Sequence, residues 1–389
     1  MTKNLFIAAT GKDVGKSTIS FALLKYLQNQ NMKIGYMKPV GQRWKKSKWG
    51  KVEEDVILIK ERFGLKESPS LMNPIVVKKG FTEKYLYKKI KPNLTKSILA
   101  GYKEISKDKD YVIIEGTGHA GVGSVFGHSN ADVAKKLDSQ VIIIANGGVG
   151  KTIDKLELSR LFFEKKGVKV IGVIINKVLP SKTEKIKKAI KKYCSIHKIK
   201  LLGIIPYSPI LGNPTLGNII DELSPQILND TNQQGEVVDH FLVGASHVNE
   251  ALNFLKAKEG KILMIIPSVR TDLAMAISNI NEMKEFEKTQ ILALLFSGNH
   301  KPNQYSLKTL KNHNITTFWK KGDTFSVTSA LSSISIKTRP LDNYKIEEIN
   351  DSVINNLEIK SILRSLKTPK IKFTKLNKLK KIFNKFIGK

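Results

Sequence analysis

The sequence predicts an α/β protein, with a doubly wound and mostly parallel sheet in its first half and a second, smaller α/β domain after it. Three observations support this fold class. Short runs of almost continuous apolar residues recur along the chain, amphipathic segments lie between them, and polar or glycine residues follow each run. A strand is apolar throughout when helices cover both faces of its sheet, and ligands bind at the carboxyl ends of such strands.

The predicted strands of the first half follow one another in the order that a β-α-β-α chain requires. They are NLFIAAT (4–10), KIGYMKPV (33–40), YVIIEGTG (111–118), QVIIIANGG (140–148), VIGVIINKV (170–178) and LLGIIPY (201–207). Amphipathic helices are predicted between them, for example over STISFALLKYLQNQ and SKTEKIKKAIKKYC. The stretch 208–235 contains three Pro and several Gly and Asn, and it is predicted to be a connector.

The chain is predicted to divide into a first domain over 1–225, a second over 235–350 and a tail over 360–389. In the second domain, strands KILMIIPS (261–268) and ILALLFSG (291–298) alternate with helices such as HVNEALNFLKA. The tail carries eleven Lys or Arg and no acid, with apolar residues at helical spacing, which predicts a basic amphipathic helix. We favour a solvated or loosely docked helix; binding to an anionic membrane surface is the alternative.

The composition limits the class of protein. The single cysteine, Cys194, excludes an intramolecular disulfide, and the lone thiol without a signal-peptide pattern predicts a cytoplasmic protein. No run reaches the roughly 18 apolar residues that span a bilayer. The net charge is +32, but the lysines are scattered along the whole chain and aromatic residues make up only 7%. The composition therefore does not predict a nucleic-acid-binding protein.

The stretch IAATGKDVGKSTIS (7–20) joins the first predicted strand to the first predicted helix, and it contains a candidate phosphate-binding loop. Its glycines let the backbone approach a polyphosphate, and the N–H groups at the helix start bind phosphate oxygens. Lys16 would neutralise the β- and γ-phosphates, and Ser17 would place its hydroxyl on Mg²⁺. An ordinary strand-to-helix turn would explain the glycines but not the G-K-S-T sequence. The candidate nucleotide-binding residues here are Gly11, Lys12, Asp13, Val14, Gly15, Lys16, Ser17 and Thr18.

Three charged residues near other element ends are candidates for the same site. Glu115 ends a strand that is predicted to be buried, where a carboxylate carries a desolvation cost unless a cation such as Mg²⁺ pairs with it. Lys38 ends the second strand and could orient an acidic substrate group beside the γ-phosphate, although an ordinary surface lysine is the alternative. Asp55, at a predicted helix start, is a second candidate metal ligand, and capping that helix is a compatible role. Glycines between 116 and 123 would let their loop approach the γ-phosphate.

Two strand ends offer groups for the adenine end of a nucleotide. Asn176 can pair with both a donor and an acceptor on an adenine edge, and Pro206 ends the last strand of the domain. A second glycine loop, NGGVGKTID (146–154), is interpreted as a substrate-side or dimer-side loop. His119 is a candidate polar contact or base in the first glycine loop; neither it nor His128 has partners at metal-ligand spacing.

The first 225 or so residues resemble dethiobiotin synthetase and its relatives, including cobyrinic acid a,c-diamide synthase. The matching motifs are TGKDVGKS, the K-P-V sequence of 38–40 and the G-x-I-P sequence of 203–206. The resemblance implies a P-loop enzyme that uses ATP and Mg²⁺. It also implies a homodimer, because related ATPases are commonly dimers across the phosphate-loop face. The positions that match the family's metal ligands and adenine contact are Ser17, Asp55, Glu115 and Asn176.

A narrower resemblance covers most of the chain. EGTGHAGVGSVF and MNPIVVKKGFTEKYL look like the dethiobiotin-synthetase-like amino-terminal part of long bacterial phosphate acetyltransferases, and 235–350 resembles the DRTGG domain that follows it there. The chain departs from the pattern in PSVRTD, where Ser268 and Val269 replace an expected Gly-Asp, and in the rewritten substrate loop GTGHAGVGSV. Gly11 stands where partitioning-type ATPases carry an additional lysine. No acetyltransferase catalytic domain follows, so acetyl transfer is not expected.

Two functional hypotheses follow. The first is a nucleotide-responsive regulatory module or slow ATPase, in which the DRTGG-like domain reads the state of the glycine loop. The second is an ATP-dependent ligase that activates a carboxylate or carbamate by γ-phosphoryl transfer, with Lys16 and Lys38 as the catalytic residues. The regulatory hypothesis is preferred, because the resembling region is an appendage of an acetyltransferase.

Overall fold

The computed structural model describes residues 2–90 and 92–371, which fall into two compact units. The first unit combines the chain up to Tyr207 with the chain from Ile349 onward, and the second unit runs from Ser208 to Glu348. Within the described ranges, no helix has the length and apolar character that crossing a bilayer requires.

The first unit is organised around a six-stranded sheet. The strands of this unit are β1 (Lys3–Ala9), β2 (Ile34–Met37), β3 (Val40–Gly41), β4 (Trp44–Ser47), β5 (Gly50–Glu53), β6 (Ile75–Val76), β7 (Tyr111–Glu115), β8 (Gln140–Asn146), β9 (Val170–Val178) and β10 (Lys200–Pro206). Six of them form the parallel sheet β10-β9-β8-β1-β7-β2, whereas β3 pairs with β6 and β4 pairs with β5 in separate ribbons. The six predicted strands and the parallel arrangement are confirmed.

Helices pack on this sheet and explain the apolar composition of its strands, since β1 is buried from Leu5 to Ala9 and β8 from Val141 to Ala145. The helices of this part are α1 (Lys16–Asn29), α2 (Glu54–Phe63), α3 (Pro69–Met72), α4 (Phe81–Leu86), α5 (Leu94–Ile105), α6 (Asn130–Lys136), α7 (Gly150–Lys165) and α8 (Thr183–Ile196). Along α1, the residues Ile19, Leu23 and Leu27 recur every four positions and are buried, which is the pattern of an amphipathic helix facing a core.

The strand order reverses at the centre of the sheet. The chain leaves β1 toward β2 on one side, whereas it leaves β8 toward β9 on the other, and β1 and β8 are direct neighbours. In doubly wound sheets the carboxyl ends of two such strands enclose a crevice that binds ligands. The loops at 10–15 and 147–149 follow these two strands, so the topology places both glycine loops at one crevice.

The second unit has its own five-stranded sheet. Its elements are α9 (Pro209–Gly212), α10 (Leu216–Leu223), β11 (Gln226–Asn229), β12 (His240–Val243), α11 (Val248–Lys256), β13 (Gly260–Pro267), α12 (Thr271–Ala276), β14 (Thr289–Ser297), α13 (Gln304–Asn312), β15 (Thr316–Lys320), α14 (Thr324–Ser332) and α15 (Asn343–Glu348). The order is β11-β15-β14-β13-β12, and β11 alone is antiparallel to its neighbour. One face packs on α11, α12 and α13, and the other on α10 and α14.

The boundary between the units lies earlier than the sequence suggests. Residues 208–235 were expected to be a connector, but α9, α10 and β11 belong to the second unit. A capping box explains why α10 forms there: the Thr215 side chain accepts from the backbone N–H of Asn218, whose side chain accepts from the N–H of Thr215. The first unit ends at Tyr207 instead of 225.

The chain then returns from the second unit to the first. A π-helical turn at Ile349–Val353 packs against α1, and helix α16 (Ile359–Ser365) packs against β10. The backbone N–H of Glu358 donates to the carbonyl of Leu202 at 2.8 Å, and the N–H of Lys367 donates to the Gln140 side chain at 2.6 Å. The predicted tail over 360–389 thus begins inside this returning segment; residues 372–389 lie outside the described part of the chain.

Candidate functional site

The phosphate loop adopts a left-handed turn directly before α1. Gly15 has φ 101° and is the N-cap of the helix, a backbone conformation that favours glycine. Asn176, at the end of β9, lies beneath the turn and donates from Nδ2 to the carbonyl of Val14 at 2.9 Å. A Cβ atom at position 15 would come within 2.1 Å of the same Nδ2. The Asn176 amide therefore holds the loop from below; its predicted contact with adenine remains a prediction.

Lys16 connects two loops. Its side chain is mostly buried, and its Nζ donates to the carbonyl of Gly11 at 3.0 Å and to the carbonyl of Gly118 at 3.2 Å. The first acceptor belongs to the phosphate loop and the second to the glycine loop after β7. One ammonium group thus lies between the two loops that the sequence assigns to the phosphates.

The carboxylate of Glu115 is held from both sides. The Ser17 hydroxyl donates to Oε1 at 2.9 Å, and the Tyr36 hydroxyl donates to Oε2 at 2.9 Å. Both Glu115 and Tyr36 are fully buried, and burial together with the neighbouring Glu115 carboxylate raises the pKa of Tyr36 well above its usual range. Tyr36 therefore remains a neutral hydroxyl that fixes the orientation of Glu115. The structure brings together Ser17 and Glu115, as the sequence analysis expects.

Lys38 lies at the centre of a buried cluster of carboxylates. Its Nζ is 2.9 Å from Oε1 of Glu53 and 3.4 Å from Oε1 of Glu115, and it also pairs with Asp55. Burial alone would lower the pKa of Lys38, but the three carboxylates outweigh that effect and raise the pKa well above its usual value. Lys38 is therefore a permanent cation. In this state it neutralises the carboxylates that the sequence analysis assigns to a metal.

The chemistry of this cluster fits a hard divalent cation. Ser17 supplies a hydroxyl, and Asp55 and Glu115 supply carboxylate oxygens, which are the ligands that Mg²⁺ prefers. No group of three or more His, Cys, Asp or Glu within residues 2–90 and 92–371 is arranged to hold a metal ion as it stands. The carboxylate oxygens of Glu53, Asp55 and Glu115 instead surround the Lys38 ammonium.

Asp55 does not cap α2. The N-cap of that helix is Glu53, without a side-chain cap, and Asp55 lies in the first turn. Glu53 also serves the cluster, since its Oε2 accepts from the backbone N–H of Arg43 at 2.8 Å while its Oε1 faces Lys38. Glu53 is not among the residues predicted from the sequence, although the adjacent acids of VEED are a signal for it.

The glycine loop after Glu115 is anchored at both ends. The Asn130 side chain accepts from the N–H of Thr117 at 3.0 Å and donates to the carbonyls of Thr117 and His119. Farther along, Phe126 packs edge-on against Phe81 and Tyr85 of α4. Between these anchors, His119 is exposed, and its Nδ1 accepts from the N–H of Gly121 at 3.2 Å. His119 thus makes a local polar contact.

A pocket of about 360 Å³ lies between the phosphate loop and the second glycine loop, 146–154. It is located at the crevice between the ends of β1 and β8, where the topology predicts a ligand. Three of its lining residues are lysines, namely Lys12, Lys151 and Lys155, and all three are exposed. Thr152 closes the far wall, with its hydroxyl donating to the carbonyl of Asn146 at 2.9 Å. The second glycine loop therefore faces the phosphate loop across a cationic pocket.

The remaining predicted residues lie around the same loop. Thr18 is in the first turn of α1, and the carbonyl of Asp13 accepts from Nζ of Lys177 at 2.8 Å. Pro206 is the last residue of β10 and pairs with Val178 of β9. It lies at the same carboxyl edge as Asn176; a role of this edge in binding adenine remains a prediction.

Comparison with known proteins agrees with this architecture. Residues 3–215 match the family model of the AAA domain, and residues 218–334 match that of the DRTGG domain. The chain is 30% identical over 185 residues to the ATP-dependent dethiobiotin synthetase of Brachyspira hyodysenteriae, covering 46% of this chain and 80% of that protein. It is 24% identical over 385 residues to the phosphate acetyltransferase of Synechocystis sp., covering 95% of this chain and 52% of that enzyme.

The chain spans about half the length of this phosphate acetyltransferase, and 39% and 42% of those from Nitrosomonas europaea and Nitratidesulfovibrio vulgaris. The AAA domain match covers more than half of the chain and contains every residue of the site described above. The chain therefore belongs to the AAA domain family of P-loop proteins, with a dethiobiotin synthetase-like first domain followed by a DRTGG domain.

Proposed function

We propose that the first unit binds ATP with Mg²⁺ and acts as a nucleotide-responsive regulatory module or slow ATPase. The observation that carries the proposal is the position of Lys16, whose ammonium donates to carbonyls of both the phosphate loop and the glycine loop. A phosphate group that accepts from Nζ would compete with the carbonyl of Gly118. Nucleotide binding would then remove one of the contacts that hold the glycine loop, which makes that loop the responsive element.

The residues that would hold Mg²⁺ are Ser17, Asp55 and Glu115. When bound, Mg²⁺ would neutralise charge on the phosphate oxygens and orient them. For these oxygens to serve as ligands, the Lys38 ammonium must move out of the carboxylate cluster, because it now pairs with Asp55 and Glu115. Lys38 would then be free to orient an acidic group, as its place at the end of β2 suggests. Tyr36 would keep Glu115 in place throughout.

A second candidate function is an ATP-dependent ligase that transfers the γ-phosphoryl group to a carboxylate or carbamate. The cationic pocket between the phosphate loop and the second glycine loop favours it, since Lys12, Lys151 and Lys155 suit an acidic second substrate there. Acetyl transfer, the activity named for the long relatives, is not part of either proposal, because those enzymes extend well beyond the region that this chain matches.

Calorimetry and single-turnover hydrolysis test both candidates. Wild-type protein is titrated with a non-hydrolysable ATP analogue and Mg²⁺ beside Lys16→Ala, and Lys185→Ala on α8 is the matched control for loss of one lysine. We expect binding by wild type and control and at least a tenfold loss in Lys16→Ala, because a charge-assisted contact contributes about 1.5–3 kcal/mol. Failure of the wild type to bind overturns both candidates.

Hydrolysis and hydrogen exchange then separate a slow ATPase from a binding module. Single-turnover hydrolysis above the Lys16→Ala level supports an ATPase, whereas hydrolysis at that level supports a binding module. In either case, amide exchange of residues 116–127 should change when the analogue binds; unchanged exchange there contradicts the assignment of the glycine loop as the responsive element. Light scattering during the same titration tests the proposed homodimer.

A further inference from the structure

A β-hairpin beside the carboxylate cluster concentrates basic and aromatic residues. Strands β4 and β5 form it, and residues 42–51 read QRWKKSKWGK, with five basic residues and no acid. Two of the three tryptophans of the chain, Trp44 and Trp49, lie in this segment. Aromatic residues make up 7% of the whole chain, but here two of ten residues are tryptophans, interspersed with four lysines. The segment is therefore richer in basic and aromatic residues than the chain as a whole.

Two lysines are placed directly opposite each other across the hairpin. The antiparallel register pairs Lys46 with Lys51, and both side chains are exposed. Like charges at directly opposed positions destabilise a sheet pair. Such an arrangement has a cost for folding, and an anion that binds between the two ammonium groups would offset it.

Ammonium groups of neighbouring lysines lie over the faces of both tryptophan rings. Nζ of Lys51 lies 4.1 Å from the Trp44 ring centroid, and Nζ of Lys48 lies 4.5 Å from that of Trp49. Nζ of Lys60, on α2, approaches the Trp49 ring at 5.5 Å. Both rings are half-buried at the hairpin surface. Each hairpin tryptophan therefore has a ring face on which a mobile lysine ammonium group lies.

A second basic segment leaves the same ribbon as the hairpin. Strands β3 and β6 are parallel neighbours, and the N–H of Val77 donates to the carbonyl of Gly41 at 2.8 Å. The hairpin follows β3, and the lysine-rich segment 78–89 follows β6, so both leave the ribbon at one end. Within that segment Tyr87 is 75% exposed, which adds a further accessible aromatic ring.

The hairpin is also fastened to the carboxylate cluster at its base. Glu53, the last residue of β5, accepts from the backbone N–H of Arg43 through Oε2 and faces Lys38 through Oε1. A ligand on the hairpin would therefore act on the element that positions one carboxylate around Lys38.

We propose that the hairpin of residues 42–51 is a binding surface for single-stranded nucleic acid. Phosphates would lie between the lysines, and bases would displace the ammonium groups of Lys48 and Lys51 from the ring faces and stack there. Basic side chains beside aromatic rings are how proteins bind single strands without sequence preference. An anionic membrane fits less well, because half-buried rings cannot insert as apolar anchors. The proposal does not depend on ATP binding.

Tryptophan fluorescence tests the stacking. In the full chain with Trp319→Phe, only the two hairpin tryptophans emit, and the change is mild because the Trp319 Nε1 has no hydrogen-bond partner within residues 2–90 and 92–371. Without nucleotide, oligo(dT) should quench this emission. Unchanged emission on binding contradicts the stacking, and the absence of any binding overturns the proposal.

Matched lysine variants test the location. Lys46→Gln with Lys51→Gln removes two cations from the hairpin, and Lys188→Gln with Lys191→Gln removes two exposed cations from α8. We expect the hairpin variant to bind oligo(dT) about tenfold more weakly, with a salt slope reduced by about 1.4, since each phosphate contact on a single strand contributes about 0.7. The α8 variant should bind like wild type.

Equal losses in the two variants would show diffuse attraction by the net charge and overturn the proposal. The proposal is also overturned if duplex DNA binds more tightly than oligo(dT). It is overturned as well if phosphatidylglycerol vesicles bind the hairpin and oligo(dT) does not. Because the assay contains no ATP, loss of nucleotide binding in Lys16→Ala leaves it unaffected, and the two proposals can fail separately.

Discussion

The phosphate loop depends on the close approach of Gly15 to Asn176. Position 15 has a positive φ, and the Asn176 amide that holds the Val14 carbonyl fills the space where a Cβ would lie. The two residues are far apart in the sequence, and only the parallel pairing of β8 with β1 and β9 brings them together. Position 15 thus requires glycine for two reasons: its backbone has a positive φ, and the Asn176 amide leaves no room for a Cβ atom.

Gly15→Ala should lower the free energy of unfolding of the first unit by about 1–3 kcal/mol, since both strain and overlap must be relieved. Gly11→Ala is the control, because a Cβ there would meet the Val14 side chain at an ordinary 3.8 Å. Urea unfolding without nucleotide measures both variants. Equal losses in the two would contradict the role assigned to the Asn176 contact.

The carboxylate cluster shows the limit of prediction from sequence at single positions. The acids at 55 and 115 are recognisable because each occupies an element end in a known motif order. Glu53 cannot be recognised in this way. The orientation of its side chain depends on the pairing of β5 with β4, which the spacing of the sequence does not encode. Likewise Lys38 is placed correctly at a strand end, but its three carboxylate partners come from separate elements.

Lys345 is a buried cation in the second unit, and it makes the stability of that unit dependent on pH. Its side chain is fully buried, and Nζ donates to the carbonyl of Asn213 at 2.6 Å. Burial lowers the pKa of Lys345 from 10.5 to about 8, although Asp342 opposes the shift. Between these two pH values the unfolded chain binds a proton that the folded chain lacks, so the free energy of unfolding rises with pH.

We expect an increase on the order of 2–3 kcal/mol from about pH 8 to 10 in the wild type. The gain should be absent in Lys345→Met and retained in Lys308→Met, which removes an exposed lysine of α13. Urea unfolding followed by Trp319 emission, with Trp44→Phe and Trp49→Phe in the background, measures the second unit. The same rise in Lys345→Met would assign the dependence to other groups.

The strands were predictable and the returning segment was not. A strand covered on both faces is apolar throughout, so its position is encoded locally in the sequence. Residues 349–367 instead depend on contacts with α1, β8 and β10, which precede them by more than 140 positions. The sequence shows only short apolar clusters there, without a strand or a long helix. The prolines of 208–235 likewise predict a connector, although the capping box of α10 lies within that stretch.

The returning segment should contribute to the stability of the first unit through α16. Ile362 is fully buried, whereas its neighbour Leu363 is half-buried. Ile362→Ala should lower the free energy of unfolding by about 2–5 kcal/mol, since it leaves a cavity in the core. Leu363→Ala should lower the free energy of unfolding by clearly less. Urea unfolding of the first unit, followed by Trp44 and Trp49 in the Trp319→Phe background, distinguishes the two; equal costs would contradict the packing of α16.

The two units have separate cores, and the residues assigned to ATP lie in only one of them. The phosphate loop, Glu115 and Asn176 belong to the first unit, as do Trp44 and Trp49, whereas Trp319 belongs to the second. Each unit therefore carries its own fluorescent reporter. A ligand that binds only the folded state stabilises that state by an amount that grows with its concentration.

Mg-ATP should consequently raise the unfolding midpoint of the first unit and leave that of the second unchanged. At a ligand concentration of about a hundred times Kd the gain is about 2.7 kcal/mol. Thermal unfolding is followed by Trp44 and Trp49 in Trp319→Phe, and by Trp319 in the double phenylalanine variant. Lys16→Ala should abolish the gain. Chelation of Mg²⁺ should reduce it, because Ser17, Asp55 and Glu115 then have no cation to hold at the phosphates. A gain of the same size in the second unit would show that the nucleotide acts on both units and would place part of its effect outside the phosphate loop.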